Sequence, residues 1–247
     1  MPRYDFTSQR LFTDALLNAG QTIELDRSQA NYLLNVLRFG DGDHVLIFNG
    51  KDGEWRADIV PQGRKKASLS IVEQIRSQPS AYDLVYLFAP IKQARMEYMV
   101  QKAVEMGAGV LQPVLTEFTQ LRKVNTEKIR AQSIEAAEQC GILNVPEIKE
   151  ICSLQDAIDL LGQDRTVIFC DEGETSQNPL QALKNVRSKR FAVLIGPEGG
   201  FSEPEREALR ARENVTPIPL GPRVLRADTA AVAALALVQS KLGDWND

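Results

Sequence analysis

The sequence predicts an α/β protein with two domains, a small β-rich domain over residues 1–76 and a larger domain over residues 82–247 built on a mostly parallel sheet. Two observations lead to this fold class. Segments before residue 76 are short and partly alternate between apolar and polar residues, which is typical of half-buried strands. After a predicted linker at Gln78-Pro79-Ser80, continuous apolar runs alternate with amphipathic segments, as in a parallel sheet covered by helices on both faces.

The first domain is predicted from turn signals and strand-like segments. The turn pair Asn49-Gly50 follows an apolar run, and Asp52-Gly53 comes soon after it. Strands are expected over residues 43–48, 54–60 and 67–75. One helix is expected over Ser28–Arg38, with an apolar face formed by Tyr32, Leu33, Val36 and Leu37. These short elements indicate a compact barrel.

The second domain is predicted from repeated strand and helix signals. Strands are expected over residues 83–89, 109–115, 166–170, 191–195 and 215–220. Four helices are expected. The first carries an apolar stripe from Met96 to Val104, the next two cover residues 126–140 and 180–186, and the last begins at about Asp228. Gly107 is expected to end the first of these helices.

Two loops with glycine follow strands of this domain. The first is Gly196-Pro197-Glu198-Gly199-Gly200, after which Ser202 and Glu205 form a capping box for a helix. The second begins at Gly221-Pro222. Loops at the carboxyl ends of strands are where open α/β sheets bind ligands, although glycines that merely turn the chain remain an alternative. Neither the dinucleotide fingerprint nor the Walker pattern fits, so no phosphate cradle is predicted.

Composition excludes several classes of protein. A net charge of −4 and a pI near 5.3 exclude a general coating protein for nucleic acid, which would need a basic surplus. No apolar run approaches the roughly 18 residues of a membrane span, and one histidine, His44, argues against a histidine-based metal site. Three unclustered cysteines suit a reducing compartment, so a cytoplasmic protein without metal or membrane anchor is expected.

Several motifs resemble those of one family. IGPEGGFS (195–202) and LGPRVLRADTA (220–230) are similar to the paired C-terminal motifs of the ribosomal RNA small-subunit methyltransferase E family. Further similar segments are NVLRFGDGD (35–43), QKAVEMGA (101–108), PVLTE (113–117) and EAAEQCG (135–141). Members of this family belong to the SPOUT superfamily, and they methylate N3 of a uridine in 16S rRNA with S-adenosylmethionine. The chain departs from the family at Asn31, where histidine is usual, and at Ile142, where arginine is usual.

The resemblance implies a PUA-like β-barrel that positions RNA, followed by a SPOUT domain with a trefoil knot. It also implies a homodimer that acts on 16S rRNA or the small ribosomal subunit. The alanines of the last helix (Ala230, Ala231, Ala233, Ala234 and Ala236) would permit close packing between subunits, unless that helix is buried within one subunit. The cofactor would be held by three loops, through Cys170, Asp171, Gly196, Pro197, Gly199, Gly200, Leu220, Gly221, Leu225 and Thr229.

The chemistry implied by the family needs N3 of uracil to lose its proton and the resulting anion to be stabilised. Arg226 is the first candidate for that electrostatic role and Arg223 the second, although Arg226 could instead tie its loop to the helix. Glu198 could accept the proton or bind the cofactor's amino group, or it could be an ordinary loop acid. Solvent and Asp171 remain alternatives as the proton acceptor.

RNA contacts are expected from basic residues. Arg3, Arg10, Arg38 and Arg223 are the candidates, with a solvated charged surface as the alternative. Lys65 and Lys66 are interpreted as the end of a hairpin rather than as specific contacts.

Three other functions stay open: a SPOUT methyltransferase with another target nucleotide, a non-catalytic RNA-binding protein, and an NAD-dependent dehydrogenase. Glu198 stands in a glycine position of the dinucleotide fingerprint and disfavours the last of these.

Overall fold

A computed structural model describes residues 5, 7–63, 65–174 and 178–246, and these residues form two compact units. The first unit comprises the described residues up to Ser80 together with Ala137–Val145. The second comprises Ala81–Ala136 and the described residues from Pro146 onward. Arg3, one of the candidate RNA contacts, lies outside the described residues.

The first unit is built on a five-stranded sheet. Its elements in chain order are β1 (Arg10–Phe12), β2 (Thr22–Glu24), α1 (Arg27–Asn31), a π-helical turn (Tyr32–Val36), β3 (His44–Phe48), β4 (Glu54–Pro61) and β5 (Ala67–Arg76). The sheet order is β1-β3-β4-β5-β2, in which β1 is parallel to β3 and the other pairs are antiparallel. The three predicted strands are therefore confirmed, whereas the two three-residue edge strands were too short to show alternation.

The predicted helix of the first unit begins as expected but changes its pitch. Asp26 caps α1, and the amide of Leu37 then donates to the carbonyl oxygen of Tyr32 at 2.9 Å, five residues back. This wider turn shifts which positions face the core. Val36 is 61% exposed, so its predicted place on the apolar face is wrong, and Leu34 packs against the core instead.

The second unit is built on a seven-stranded parallel sheet. Its elements in chain order are β6 (Leu84–Phe88), α2 (Gln93–Glu105), β7 (Val110–Leu115), α3 (Thr126–Cys140), β8 (Glu147–Ile148), β9 (Cys152–Ser153), α4 (Leu154–Leu161), β10 (Thr166–Cys170), α5 (Pro179–Lys184), β11 (Phe191–Ile195), α6 (Glu203–Arg210), β12 (Val215–Ile218) and α7 (Ala227–Lys241). The order is β12-β10-β11-β6-β7-β8, and β9 also pairs with β7. The terminal part of α3 belongs to the first unit.

Both faces of this sheet are covered, as predicted. Along β6, Tyr86 and Phe88 enter one hydrophobic core, and Val85 and Leu87 enter the other. Residues of α2, α5 and α7 contribute to the first core, and residues of α4 and α6 contribute to the second. Continuous apolar strands result because both sets of alternating side chains are buried. No described helix is long and apolar enough to cross a membrane.

Most of the candidate alanines of α7 pack in the hydrophobic core of their own unit. Ala231 and Ala234 are fully buried, and Ala230 is 9% exposed. Ala233 and Ala236 remain half-buried. Three of the five alanines that were candidates for packing between subunits therefore pack within the unit, on the face shared with α2 and β11.

Candidate active site

A cavity of about 580 Å³ opens at the carboxyl ends of three neighbouring strands of the second unit. β12, β10 and β11 are adjacent and parallel, so the loops that follow them meet at one edge of the sheet. The predicted cofactor residues that line the cavity are Cys170, Asp171, Gly196, Pro197, Gly199, Gly200, Leu220, Gly221 and Leu225. Glu198 and Arg223 line it as well. The three loops singled out in the sequence are thus brought together.

Two predicted site residues stand outside the lining. Thr229 is exposed on the first turn of α7. Arg226 occupies the N-cap position of α7, where its carbonyl oxygen accepts from the amide of Ala230 at 2.8 Å. Within the described residues its exposed guanidinium has no hydrogen bond or ion pair, so nothing supports the alternative that it ties the loop to the helix.

The glycine loop is shaped by close contacts that leave little space for side chains. Gly200 has φ +68°, and its amide donates to the carbonyl oxygen of Pro197 at 2.9 Å to close a turn. A Cβ at Gly200 would collide with the carboxylate of Glu172, and one at Gly196 would lie 2.6 Å from the ring of Phe201. At this loop the glycines therefore permit both a left-handed turn and close packing.

Arg206 and Arg210 connect α6 to the loop that follows β10. Arg206 donates to the buried carboxylate of Asp171, to the carboxylate of Glu172, and to the carbonyl oxygen of Phe201 at 3.1 Å. Arg210 Nη2 donates to Asp171 Oδ2 at 2.5 Å. These arginines were missed in the sequence, where the only signal was their spacing of four residues on a charged helix face.

Asp171 is fixed rather than free to react. Its carboxylate also accepts from the amide of Gly173 at 3.0 Å, and its side chain is fully buried. Both carboxylate oxygens therefore already accept hydrogen bonds, which argues against Asp171 as the proton acceptor.

Two other groups at the cavity are the thiol of Cys170 and the carboxylate of Glu198. Burial raises the pKa of the Cys170 thiol far above its usual range, so the thiol is neutral and is no nucleophile at ordinary pH. Glu198 is 42% exposed on its side chain, and one oxygen lies 3.5 Å from Arg95 Nη1 of α2. Glu198 is the more accessible of the two carboxylates considered for proton transfer.

The lining combines apolar side chains with carboxylates, most of which have arginine partners. Ile195, Leu220, Leu225, Ala227 and Ala230 supply apolar surface. Glu172, Glu174 and Glu198 supply carboxylates. The volume falls within the range of roughly 300–1,000 Å³ that is common for small-molecule sites. Among the described residues, no group of histidine, cysteine or acidic side chains could hold a metal ion.

Two candidate RNA residues of the first unit, Arg10 and Arg38, differ in solvent exposure. Arg10 is 3% exposed, and its Nε donates to Oε1 of the buried Glu54 at 2.9 Å. Expecting Arg10 to contact RNA is therefore wrong for this structure, because Arg10 is buried and, together with Arg76, is paired with the buried carboxylate. Arg38 is exposed and has φ +60°, a left-handed conformation that is uncommon outside glycine.

Comparison with known proteins agrees with this architecture. Residues 78–239 match the RNA methyltransferase domain family, and residues 25–72 match the RNA methyltransferase PUA domain family. The ribosomal RNA small subunit methyltransferase E of Rickettsia conorii is 32% identical over 93% of this chain and 94% of the relative.

Two solved structures are similar over nearly the full length. One is the crystal structure of a ribosomal RNA small subunit methyltransferase E from Neisseria gonorrhoeae bound to S-adenosylmethionine, with 26% identity and a TM-score of 0.83 over 94% of this chain and 97% of that one. The other is a protein of Legionella pneumophila in complex with the same cofactor, with 29% identity and a TM-score of 0.82 over 96% of this chain and 99% of that one.

Proposed function

The chain belongs to the RNA methyltransferase family that includes the ribosomal RNA small subunit methyltransferase E enzymes, and we propose that it methylates N3 of a specific uridine in 16S rRNA with S-adenosylmethionine. The observation that carries the proposal is the cavity at the ends of β10, β11 and β12, which the family's two C-terminal motifs line. Similar proteins in two solved structures contain S-adenosylmethionine, which supports the same cofactor here.

The residues at the cavity fit this cofactor. The apolar residues of the lining suit its adenine, and the partly exposed carboxylate of Glu198 can approach its positive charge. The glycine loops match no phosphate-binding pattern, which agrees with a ligand without phosphate. The bound cofactor supplies an activated methyl group. The chain's own task is to hold the three loops rigid, to align the uracil, and to exclude water, and positioning of this kind can contribute about 7–11 kcal/mol.

Exposed groups near the cavity would remove the N3 proton and stabilise the uracil anion. We assign the electrostatic role to Arg226, whose guanidinium is unpaired among the described residues, with Arg223 as the second candidate. A planar guanidinium offers paired donors to a carbonyl oxygen of the uracil anion. Glu198 or solvent accepts the proton, since the carboxylate of Asp171 is already occupied.

The finer architecture expected from the family also belongs to this proposal. A trefoil knot is part of the proposal, and the path of the chain is compatible with it, because β12 lies at the sheet edge while the following α7 packs on α2 and β11. We also propose that the enzyme is a cytoplasmic homodimer. Residues 1–76 would position the RNA, and residues 82–247 would bind the cofactor and catalyse the transfer.

The experiment that tests the proposal is a map of modified nucleotides in 16S rRNA from a strain that lacks this protein. One 3-methyluridine should disappear, and it should return when the gene is restored. Loss of a different methylated nucleotide would favour another target. An unchanged map, together with RNA binding by the purified protein, would favour the non-catalytic alternative. Stabilisation against heat by a dinucleotide but not by S-adenosylmethionine would favour a dehydrogenase.

A further inference from the structure

A second groove, of about 640 Å³, lies on the first unit and is separate from the cofactor cavity. It is lined by Arg27, Ser28, Asn31, Asn35 and Lys65. The first four residues belong to α1 and the π-helical turn, and Lys65 belongs to the connection between β4 and β5. All five are exposed. The groove is therefore a polar surface formed by two segments that are far apart in the sequence.

The charge of the groove lining is positive. Arg27 and Lys65 are its charged members, and no acidic residue lines it. Neither cation forms an ion pair within the described chain, in contrast with Arg56, which pairs with Glu73. The nearest acid in sequence, Asp26, accepts from the amide of Gln29 at 2.8 Å and is occupied by capping α1. In an acidic protein, two unneutralised cations on one groove favour an anionic ligand.

The amide groups of the groove are arranged as a pair. Asn35 Nδ2 donates to Asn31 Oδ1 at 3.0 Å, and both residues flank the π-helical turn. Within the described residues, Asn31 Nδ2 and Asn35 Oδ1 form no further hydrogen bond. The pair thus presents one donor and one acceptor to the groove, beside the hydroxyl of Ser28. A donor next to an acceptor is complementary to the hydrogen-bonding edge of a nucleobase.

We propose that this groove binds a single-stranded segment of the rRNA substrate, with Arg27 and Lys65 on its phosphates and the Asn31–Asn35 pair on the edge of one unpaired base. The inference rests on the proposed function and assigns the substrate contacts of the first unit. A single strand is required, because base edges are exposed to side chains in loops and are hidden in the deep groove of an RNA duplex. Lys65 is then a substrate contact and not only the end of a hairpin.

The phosphate contacts are tested by the affinity of the purified, full-length protein for a 16S rRNA fragment that contains the target uridine. The variant R27A/K65A is compared with K51A, which removes one exposed cation just before β4, whereas Lys65 follows that strand of roughly 23 Å. We expect R27A/K65A to weaken binding at least about tenfold. The slope of log affinity against log salt should become shallower by about 1.4, because each phosphate contact to a single strand contributes about 0.7.

The base contact is tested by Asn31→Ala and Asn35→Ala. We expect each variant to lose discrimination between the natural fragment and fragments with substituted loop bases, by about 5- to 150-fold, the range for a paired contact to a base edge. The melting temperature and the affinity for S-adenosylmethionine should stay unchanged, since these residues are exposed and lie in the first unit.

Several outcomes would overturn the inference. Unchanged RNA affinity and salt dependence in R27A/K65A would exclude the groove as a phosphate site. An equal loss in K51A would show general electrostatic attraction, and equal binding of a fully paired RNA would exclude base reading. Methyl transfer by the unaltered protein is measured in parallel. If it is absent while the groove variants bind RNA weakly, the proposed function fails and the groove remains an RNA site.

Discussion

The guanidinium of Arg206 on α6 donates to the buried carboxylate of Asp171 in the loop that follows β10. Through this pair, the helix that follows the glycine loop fixes the neighbouring wall of the cofactor cavity. The same guanidinium reaches Glu172 and the carbonyl oxygen of Phe201, so one side chain connects two of the three cavity loops. We therefore expect cofactor affinity to depend on a residue that lies outside the cavity lining.

Arg206→Ala should lower both stability and cofactor affinity. The change leaves the buried carboxylate of Asp171 without one of its donors, which costs about 1–3 kcal/mol. Looser loops should raise the Kd for S-adenosylmethionine at least about tenfold. Urea unfolding and calorimetry check the two effects. Arg212→Ala is the matched control, because Arg212 pairs with the exposed Asp159 at 2.6 Å. Equal effects of the two variants would contradict a special role for Arg206.

Gly200→Ala should weaken cofactor binding through a steric effect. A methyl group at this position meets the carboxylate of Glu172 and is also strained by φ +68°. Gly20→Ala is the control for strain alone, since Gly20 has φ +80°, has no neighbouring atom within 4 Å, and lies in the first unit. Both variants should lose about 1–2 kcal/mol from backbone strain. Only Gly200→Ala should lose affinity for S-adenosylmethionine in calorimetry, and normal affinity in that variant would refute the steric argument.

Stability should depend on pH through Asp83. Burial acts to raise the pKa of Asp83, but hydrogen bonds and charge interactions with Arg165 and Arg190 outweigh it, so the pKa lies below the ordinary 3.8. Arg165 Nη2 lies 2.5 Å from Asp83 Oδ1, and Arg190 Nε lies 2.9 Å from Oδ2. Because the folded pKa is depressed, this contribution is present above the unfolded pKa of about 3.9 and is lost as pH falls through the folded value.

The measurement is urea unfolding of the unaltered protein and Asp83→Asn between about pH 6 and about pH 3. The unaltered protein should be more stable at the upper end, and the difference should shrink as the pH falls below about 4. A difference that stays constant over this range would mean that the carboxylate charge of Asp83 contributes nothing.

Arg226→Ala and Arg226→Lys should both slow methyl transfer while the melting temperature and cofactor affinity stay nearly constant. Loss of one transition-state donor costs about 2.7–4 kcal/mol, or roughly a factor of 10²–10³ in rate. Single-turnover rates at several pH values check the role, and the defect should shrink as pH rises and more uracil is already deprotonated. A defect that is independent of pH, with a lowered melting temperature, would assign Arg226 a structural role instead.

Much of the fold was predictable because its signals are local. The strands at residues 166–170 and 191–195 and the helix at residues 126–140 agree with the structure to the residue, since burial on both faces gives uninterrupted apolar strands. The helix α4 was missed, although Ser153 at its N-cap and the spacing of Leu154, Ala157 and Ile158 were visible in the sequence.

The candidate site was predictable only in part. The glycine loops were recognisable because tight turns and close backbone contacts favour glycine, so the residue type itself indicates such a loop. Arg206 and Arg210 were not, because a charged helix face is usually solvated, and only the parallel packing of β10 beside β11 places Asp171 near α6. Arg10 shows the opposite error, because it was predicted as an exposed contact but is buried. Nothing local in the sequence indicates that it pairs with the buried Glu54.

The most direct test of the central claim is to incubate purified protein with small-subunit rRNA and methyl-labelled S-adenosylmethionine, and to identify the labelled nucleoside by mass spectrometry. We predict label in one position per rRNA molecule, as 3-methyluridine, with no transfer when the cofactor is omitted. Label in another nucleoside would contradict the assignment of N3 of uridine. Absence of any transfer to rRNA or to the assembled subunit, by protein that binds S-adenosylmethionine, would contradict the proposed enzymatic function.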